Sequence, residues 1–502
     1  MSISSIGSQS SQMIQQLVSM RAQFDDLQRQ LSTGQKSTNY AGLGLGRGVM
    51  VSLNSQLSAI GGYDSSITNV MPRIDLTNTV LTRMSAIGGT VKSAIVQGNT
   101  VGNSSGIIAA QTTAQSSLDE MLGLLNTQAG DRYVFSGRAT DTPSVATTDH
   151  ILNGNGAQAG LKQIISERNQ ADLGSNGLGR LTVAQPTATS VGVTEDAGPF
   201  GFKLASVSST LTNATVTPPS GSPPSMSVDF TGVPNDGDTF TTRFNLPDGT
   251  SENLTLTATT TSPPGPNQFA IGGTPAATAA NFQAALTTGI GNLAGTSLTA
   301  ASAVQASNEF FSADANNPPQ RVDGPPFATA TALTAGSAAD TVIWYTGEAG
   351  SDSARSTATA QIDPSLTASY GVRANEAGIR SLVQNVATLA AVTVSPSASN
   401  AANLSTALNG RLTTNLNGSP GAQSITNIQV DLATAQAAMT AAQTRHQQTS
   451  SMLSGYLDQI SGVSTTEVGA EILDLQTRMQ ASMQTTAMLF QTSLIKFLPP
   501  PA

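Results

Sequence analysis

Apolar residues recur at alternating steps of three and four at both ends of this chain. Near the start the series is Met13, Leu17, Met20, Phe24, Leu27 and Leu31. It predicts a helix with one apolar seam, preceded by a fraying polar lead-in at residues 8–12 and ended by Gly34. A glycine-rich stretch, 35–48, reads as a flexible hinge; without a following Lys-Ser/Thr pair or a preceding strand it is not a phosphate loop. A long helix follows, carried by Leu53, Leu57, Ile60, Tyr63, Ile67, Val70, Ile74, Leu81, Met84, Val91 and Ile95. Pro72 falls inside it and predicts a kink or a restart. A third helix is expected from 107 to 129, with Leu118, Met121, Leu122 and Leu125 as its apolar edge. At the other end Leu432, Ala435, Met439, Ala442, His446, Thr449, Leu453, Tyr456, Ile460 and Val463 form a heptad seam. After a break at Gly462–Glu467, a second seam runs Ile472, Leu475, Met479, Met483, Ala487, Phe490, Leu494 and Phe497.

Between the helical ends the pattern changes. Residues 131–137 read as a short strand. Beyond them prolines cluster at 218–219, 223–224, 263–266, 318–319 and 325–326, with threonine-rich alternation. Two alternating runs around Pro247-Asp248-Gly249 predict a hairpin over 240–257. A short helix is expected at 278–290 and strands at 298–311, 341–345 and 358–362. A helix is then expected at 373–392, and a polar connection over 395–424 with a weak helical patch at Leu404 and Leu408. The fold class is therefore mainly α with a β-rich insertion. Both termini form a long antiparallel helical bundle or coiled coil carrying a β-rich domain inserted at its far end, and that β-rich middle contains a compact α+β part at about 220–315.

Composition narrows the chemistry. With charged residues at 11% and aromatics at 4%, contacts must come from many small and aliphatic side chains. The absence of cysteine removes disulfides and thiolate metal sites. No secretory signal and no membrane-spanning run is expected. The net charge of −9 resides entirely in residues 141–425, because 1–140 carry +2 and 426–502 carry −2. Neutral ends can pack closely against copies of themselves, and nothing resembles a nucleic-acid footprint.

No catalytic, cofactor or metal site is expected. His446 reads as a polar residue tolerated on a seam, since His150 is far away in sequence and no His-Glu-x-x-His occurs. Asp236-Gly237-Asp238 reads as a turn rather than a calcium loop, and Glu195-Asp196 and Glu348/Asp352 carry little weight as acid–base pairs. No Gly-x-Ser-x-Gly motif is present. The 430–462 seam is read as intramolecular packing through Leu432, Met439, Leu453, Tyr456 and Ile460. The terminal helices 13–31 and 468–498 are read as intersubunit surfaces, because one helix pair offers too little core to stand alone.

Four stretches carry a family resemblance. They are Leu27-Gln28-Arg29-Gln30-Leu31-Ser32-Thr33-Gly34, Gly130-Asp131-Arg132-Tyr133-Val134-Phe135-Ser136-Gly137, residues 460–471 (ISGVSTTEVGAE) and the ending 489–498 (LFQTSLIKFL). Through them the chain resembles the bacterial flagellin superfamily over about 1–140 and 366–498. The ending is most like that of its hook-filament junction branch, hook-associated protein 3. The loop Tyr40-Ala41-Gly42-Leu43-Gly44 and the tail Pro499-Pro500-Pro501-Ala502 depart from the filament-flagellin pattern. The resemblance implies a layered subunit. Residues 1–42 and 463–502 would form an inner coiled coil that folds on assembly. Residues 43–175 and 345–462 would form a helical rod, and 176–344 would project outward. The expected assembly interface is Met13, Leu17, Met20, Phe24, Leu27, Leu31, Ile472, Leu475, Met479, Met483, Phe490, Leu494 and Phe497. Expected partners are copies of itself, other flagellar axial proteins (hook, hook-associated proteins, flagellin), and the flagellar export apparatus with its chaperone. Export without a cleaved signal would place it outside the cell, in the flagellum. A major filament flagellin, or a surface adhesin carried by the middle region, are the alternatives.

Overall fold

The computed structural model describes residues 3–101, 104–395, 397–418 and 420–495; side chains are described from 11 to 488 except 99–105, 396 and 419, and at 491. The chain begins with α1 (Ile3–Thr33), α2 (Gly46–Val101) and α3 (Ser104–Leu125), then a small hairpin of β1 (Gln128–Ala129) and β2 (Arg132–Tyr133). Helices α4 (Thr148–Asn153) and α5 (Leu161–Leu173) lead into strands β3 (Leu181–Ala184), β4 (Ser190–Glu195), β5 (Lys203–Ser209), β6 (Ala214–Ser220), β7 (Ser225–Phe230), β8 (Thr239–Asn245), β9 (Ser251–Thr259) and β10 (Gln268–Ala270). Next come α6 (Pro275–Leu293), α7 (Thr299–Ser312), β11 (Gln320–Val322), β12 (Leu333–Ala335), β13 (Thr359–Asp363) and β14 (Leu366–Ser369). The chain closes with α8 (Ala377–Ala391), α9 (Ala401–Leu416), α10 (Ile425–Ser461) and α11 (Thr465–Ile495). Long terminal helices flanking a β-rich middle are what the hydrophobic pattern predicts.

Two compact units result: one of residues 1–69, 361–367 and 437–502, the other of residues 70–360 and 368–436. Among the described residues, the second holds every fully buried large aromatic, from Phe135 to Tyr345. Its β-rich part consists of two four-stranded sheets, ordered β3-β4-β7-β6 and β10-β9-β8-β5. Strands β8 and β9 pair antiparallel about the Pro247-Asp248-Gly249 turn, Phe244 opposite Glu252, while β10 joins β9 in parallel. Alternation along β7 and β8 turns Met226, Val228 and Phe230, and Phe240 and Phe244, inward. Helix α6 adds Phe282, whose ring meets Phe230, Phe240 and Phe269 edge-on at 5.1–5.5 Å.

The helical part of this unit centres on α7, which packs on α5, α8 and α9. The threonine, alanine and serine alternation of 298–311 predicts a strand, yet the segment is a helix buried nearly all round. Small side chains permit close approach on every face. The buried Ser302 and Ser307 hydroxyls donate back to the carbonyls of Leu298 and Ala303, both at 2.8 Å, and so need no outside partner. Other expectations also change. Residues 341–345 form no strand, only isolated bridges from Thr341 to Ala159 and Tyr345 to Val145. The polar connection 395–424 contains a full helix, α9, and α4 and α5 are helices that the hydrophobic pattern does not single out, within the stretch 43–175 that the resemblance makes helical. The compact α+β body begins at β3 rather than near 220. Helix α2 runs through Pro72 without restarting.

Candidate assembly interface

In the smaller unit, α1 and α11 lie antiparallel and packed together. Gly34 ends α1 at φ +68°, donating its N–H to Gln30 O at 2.8 Å. The chain that follows pairs with the break between α10 and α11. Val463 N–H donates to Gly34 O at 3.0 Å and Lys36 N–H to Ser461 O at 2.7 Å, around a Gln35–Gly462 bridge. The two breaks are thus in register, and far along the pair Thr486 Oγ1 lies 3.9 Å from Met13 Sδ. Ser464 starts α11 by accepting the Glu467 N–H at 3.3 Å, so Ser464-Thr465-Thr466-Glu467 is a helix start. The break itself is only 462–464. The glycine-rich loop is likewise structured: Tyr40–Leu43 forms a 3₁₀ turn in which Asn39 Oδ1 accepts the Gly42 N–H at 3.0 Å.

The α1 face presented to this pair is Met13, Leu17, Met20, Phe24 and Leu27, all half-buried. Leu31 is 42% exposed instead. The last turn of α1 is held by polar contacts, with Arg29 Nη2 donating to Lys36 O at 3.1 Å. Arg29 and Gln30 together hold the Asp26 carboxyl below its ordinary value. On α11, Leu475 is buried and Ile472 and Met479 half-buried, but the inward series continues through Ser482 and Thr486. Met483 is 51% exposed. Phe490 and Leu494 lie on α11 with side chains outside the described residues, and Phe497 lies outside them entirely.

Helices α2 and α10 contribute residues 46–69 and 437–461 to the same unit. Met439 and Leu453 are buried and Ile460 half-buried, as is Leu457; Tyr456, expected on the packed seam, is 50% exposed. Leu432, in the other unit, is buried. His446 is buried, with Nδ1 2.7 Å from Asp64 Oδ1 and its ring 6.0 Å from Tyr63, while Nε2 has no partner. It is a seam residue held by one carboxylate.

What distinguishes this unit is its surface. Thirteen of the seventeen exposed large apolar side chains among the described residues belong to it, although it has under a third of the chain. Val18, Leu473 and Met488 are 64–66% exposed on α1 and α11, and Leu45 is completely exposed. The other expected groups have structural partners. Asp236 Oδ1 accepts the Thr260 N–H at 2.7 Å, Asp238 Oδ2 accepts from Thr212 and Asn235, and Glu348 pairs with Arg138 at 2.5 Å. Among the described residues no group of three or more His, Asp or Glu is placed to hold a metal, and no helix is long and apolar enough to cross a membrane.

Residues 5–140 match the family model of the bacterial flagellin N-terminal helical region. This match supports the flagellin family. It spans α1 to the β1–β2 hairpin and includes the flagellin-like Leu27–Gly34 and Gly130–Gly137 stretches. No curated protein matches the chain at a significant level.

Proposed function

We propose that this chain is a structural subunit of the bacterial flagellum that assembles with copies of itself through its terminal helices, at the junction between hook and filament. The observation that carries the reading is the concentration of exposed apolar side chains on the smaller unit. Covering Val18, Leu473 and Met488 in a neighbour contributes about 1.5–3 kcal/mol for each side chain fully buried. In this reading 1–42 and 463–502 form the inner layer, 43–175 and 345–462 the rod, and 176–344 the outer part. Met13 to Leu31 and Ile472 to Phe497 supply the packing surface, and Leu432, Met439, Leu453 and Ile460 the rod. Tyr456 passes to the outward side. The subunit would meet hook, hook-associated proteins and flagellin, and leave the cell through the flagellar export apparatus with a chaperone. The junction position is supported by the ending Leu489 to Leu498, which resembles that of junction proteins.

Seeded assembly of the purified chain tests the position. A junction subunit caps hook ends in a short zone and stops; growth of long filaments from the seeds would make it a filament flagellin instead. Deleting 181–293, the two four-stranded sheets and α6, tests the outer part while keeping α7 on α5, α8 and α9. Retained assembly is expected, and loss of surface attachment with motility intact would favour an adhesin.

A further inference from the structure

Two cavities in the larger unit are lined by arginines. The first, about 390 Å³, has its cations already matched. Arg355 pairs with Glu376 at 2.5 Å, and Arg373 donates to Gly350 O at 2.8 Å and to Asp352 O. The second is a cleft of about 60 Å³ between α2, the β1–β2 hairpin and segments 357–358 and 370–372. Arg73 from α2 and Arg132 from the hairpin line it, with Tyr133 and Tyr370 beside them. Among the described residues neither guanidinium makes an ion pair or a hydrogen bond. Arg73 is half-buried, so part of its hydration is already lost without a counter-charge in return.

We propose that this cleft receives a carboxylate side chain from a second copy of the chain. The proposal rests on the reading of the chain as a self-assembling subunit. Two unpaired arginines lining one cleft, Arg73 half-buried and Arg132 exposed, favour an anion there, and the planar guanidinium fork suits a carboxylate held by paired N–H donors. The cleft is far smaller than the ~300–1,000 Å³ that encloses a drug-sized ligand, which fits one side-chain group and not a sugar or nucleotide. Carboxylates are the abundant surface group here, 31 acidic against 22 basic residues. Some are free to serve: Glu467 and Glu471 are exposed on α11 and make no ion pair. Apolar cover on the smaller unit would supply affinity, and the cleft would fix register between copies.

The test is seeded assembly of full-length chain, with critical concentration as the readout. Arg73→Ala with Arg132→Ala should raise it about tenfold at low salt, and by much less at 1 M salt, where the wild-type contact is itself screened. Arg73→Lys should fall between, keeping charge and losing the fork. The monomer's thermal melt should not move, which separates the effect from misfolding. An unchanged critical concentration for the double variant, with wild type assembling normally, overturns the cleft alone. Failure of the wild type to assemble on any seed overturns both the cleft and the subunit reading.

Discussion

Gly34 shows how one backbone angle sets the start of the smaller unit. At φ +68° an L side chain crowds the following carbonyl, although open space surrounds the Cα. Gly34→Ala should therefore cost the assembled subunit about 1–2 kcal/mol through strain alone, read as a higher critical concentration in seeded assembly. A variant with the wild-type critical concentration would show that the break has no fixed conformation. Asp238 acts through its protons. The Thr212 hydroxyl and amide, then the Asn235 amide, hold its carboxyl below the ordinary value. A depressed folded value means the stabilisation is complete above the unfolded value, near 3.9, and is lost as pH falls through the folded one. Because the group is partly exposed, Asp238→Asn should cost only about 1 kcal/mol at pH 7. The gap to wild type should close below pH 3, and an equal gap at both pH values would exclude the linkage. Tyr345 is the contrasting case. Burial pushes its phenol far up, and its buried hydroxyl lacks a partner. A sequence cannot announce either state, because both arise from distant residues.

Elements were legible where periodicity was long and strict. The seams of α1, α2, α10 and α11 stand in the sequence because each helix buries one stripe, and Gly34 marks a true end. The errors fall where a seam drifts or a polar residue occupies it. A straight helix rotates about 20° per heptad against a 3.5 repeat, so after three heptads from Leu432 the inward position has passed from Tyr456 to Leu457. On α11 the steps of three and four continue through Ser482 and Thr486, while the apolar Met483 points out. Helix α7 hid in Ser/Thr/Ala-rich sequence because burial on nearly every face erases its stripe, whereas α9 buries a single stripe in which Ser405 and Asn409 stand among the leucines. The anchoring of the β8–β9 turn was also illegible. Arg411 on α9 reaches Asp248 at 2.9 Å and Glu252 at 3.4 Å, from 163 residues away in the first case. Asp248 is 3% exposed at its side chain, so removing its cation strands a buried charge. Arg411→Ala should cost about 3 kcal/mol and speed amide exchange at Leu246 to Thr250 before the rest of the sheet. Uniform exchange across the sheet would show that the turn is not held from α9.

At the scale of the molecule, the aromatic core and the apolar surface are in different units. Residues 70–360 and 368–436 bury Phe202, Phe244, Phe282, Phe311 and Trp344 completely, which gives that unit the means to fold alone. In the smaller unit α1 meets α11 along half-buried side chains, with Val468 and Leu475 the buried apolar residues of α11 among those described. Each fully buried apolar side chain contributes about 1.5–3 kcal/mol, while ordering the backbone costs about 1–2 kcal/mol for every residue. A pair of 31-residue helices with so short a seam falls well short in isolation, unless a neighbour covers the outward Val18, Leu473 and Met488. Two outcomes follow from that imbalance. Amide exchange in the free monomer should be fast throughout α1 and α11 and slow in α7 and α8, and assembly should slow the terminal helices selectively. Removing 463–502 should leave the melt of the larger unit within about 0.5 kcal/mol of wild type, since none of its buried residues lies there, yet abolish seeded assembly. Slow exchange in the terminal helices of the monomer, or assembly by the truncated chain at the wild-type critical concentration, would mean that the exposed apolar face is not what joins one subunit to the next.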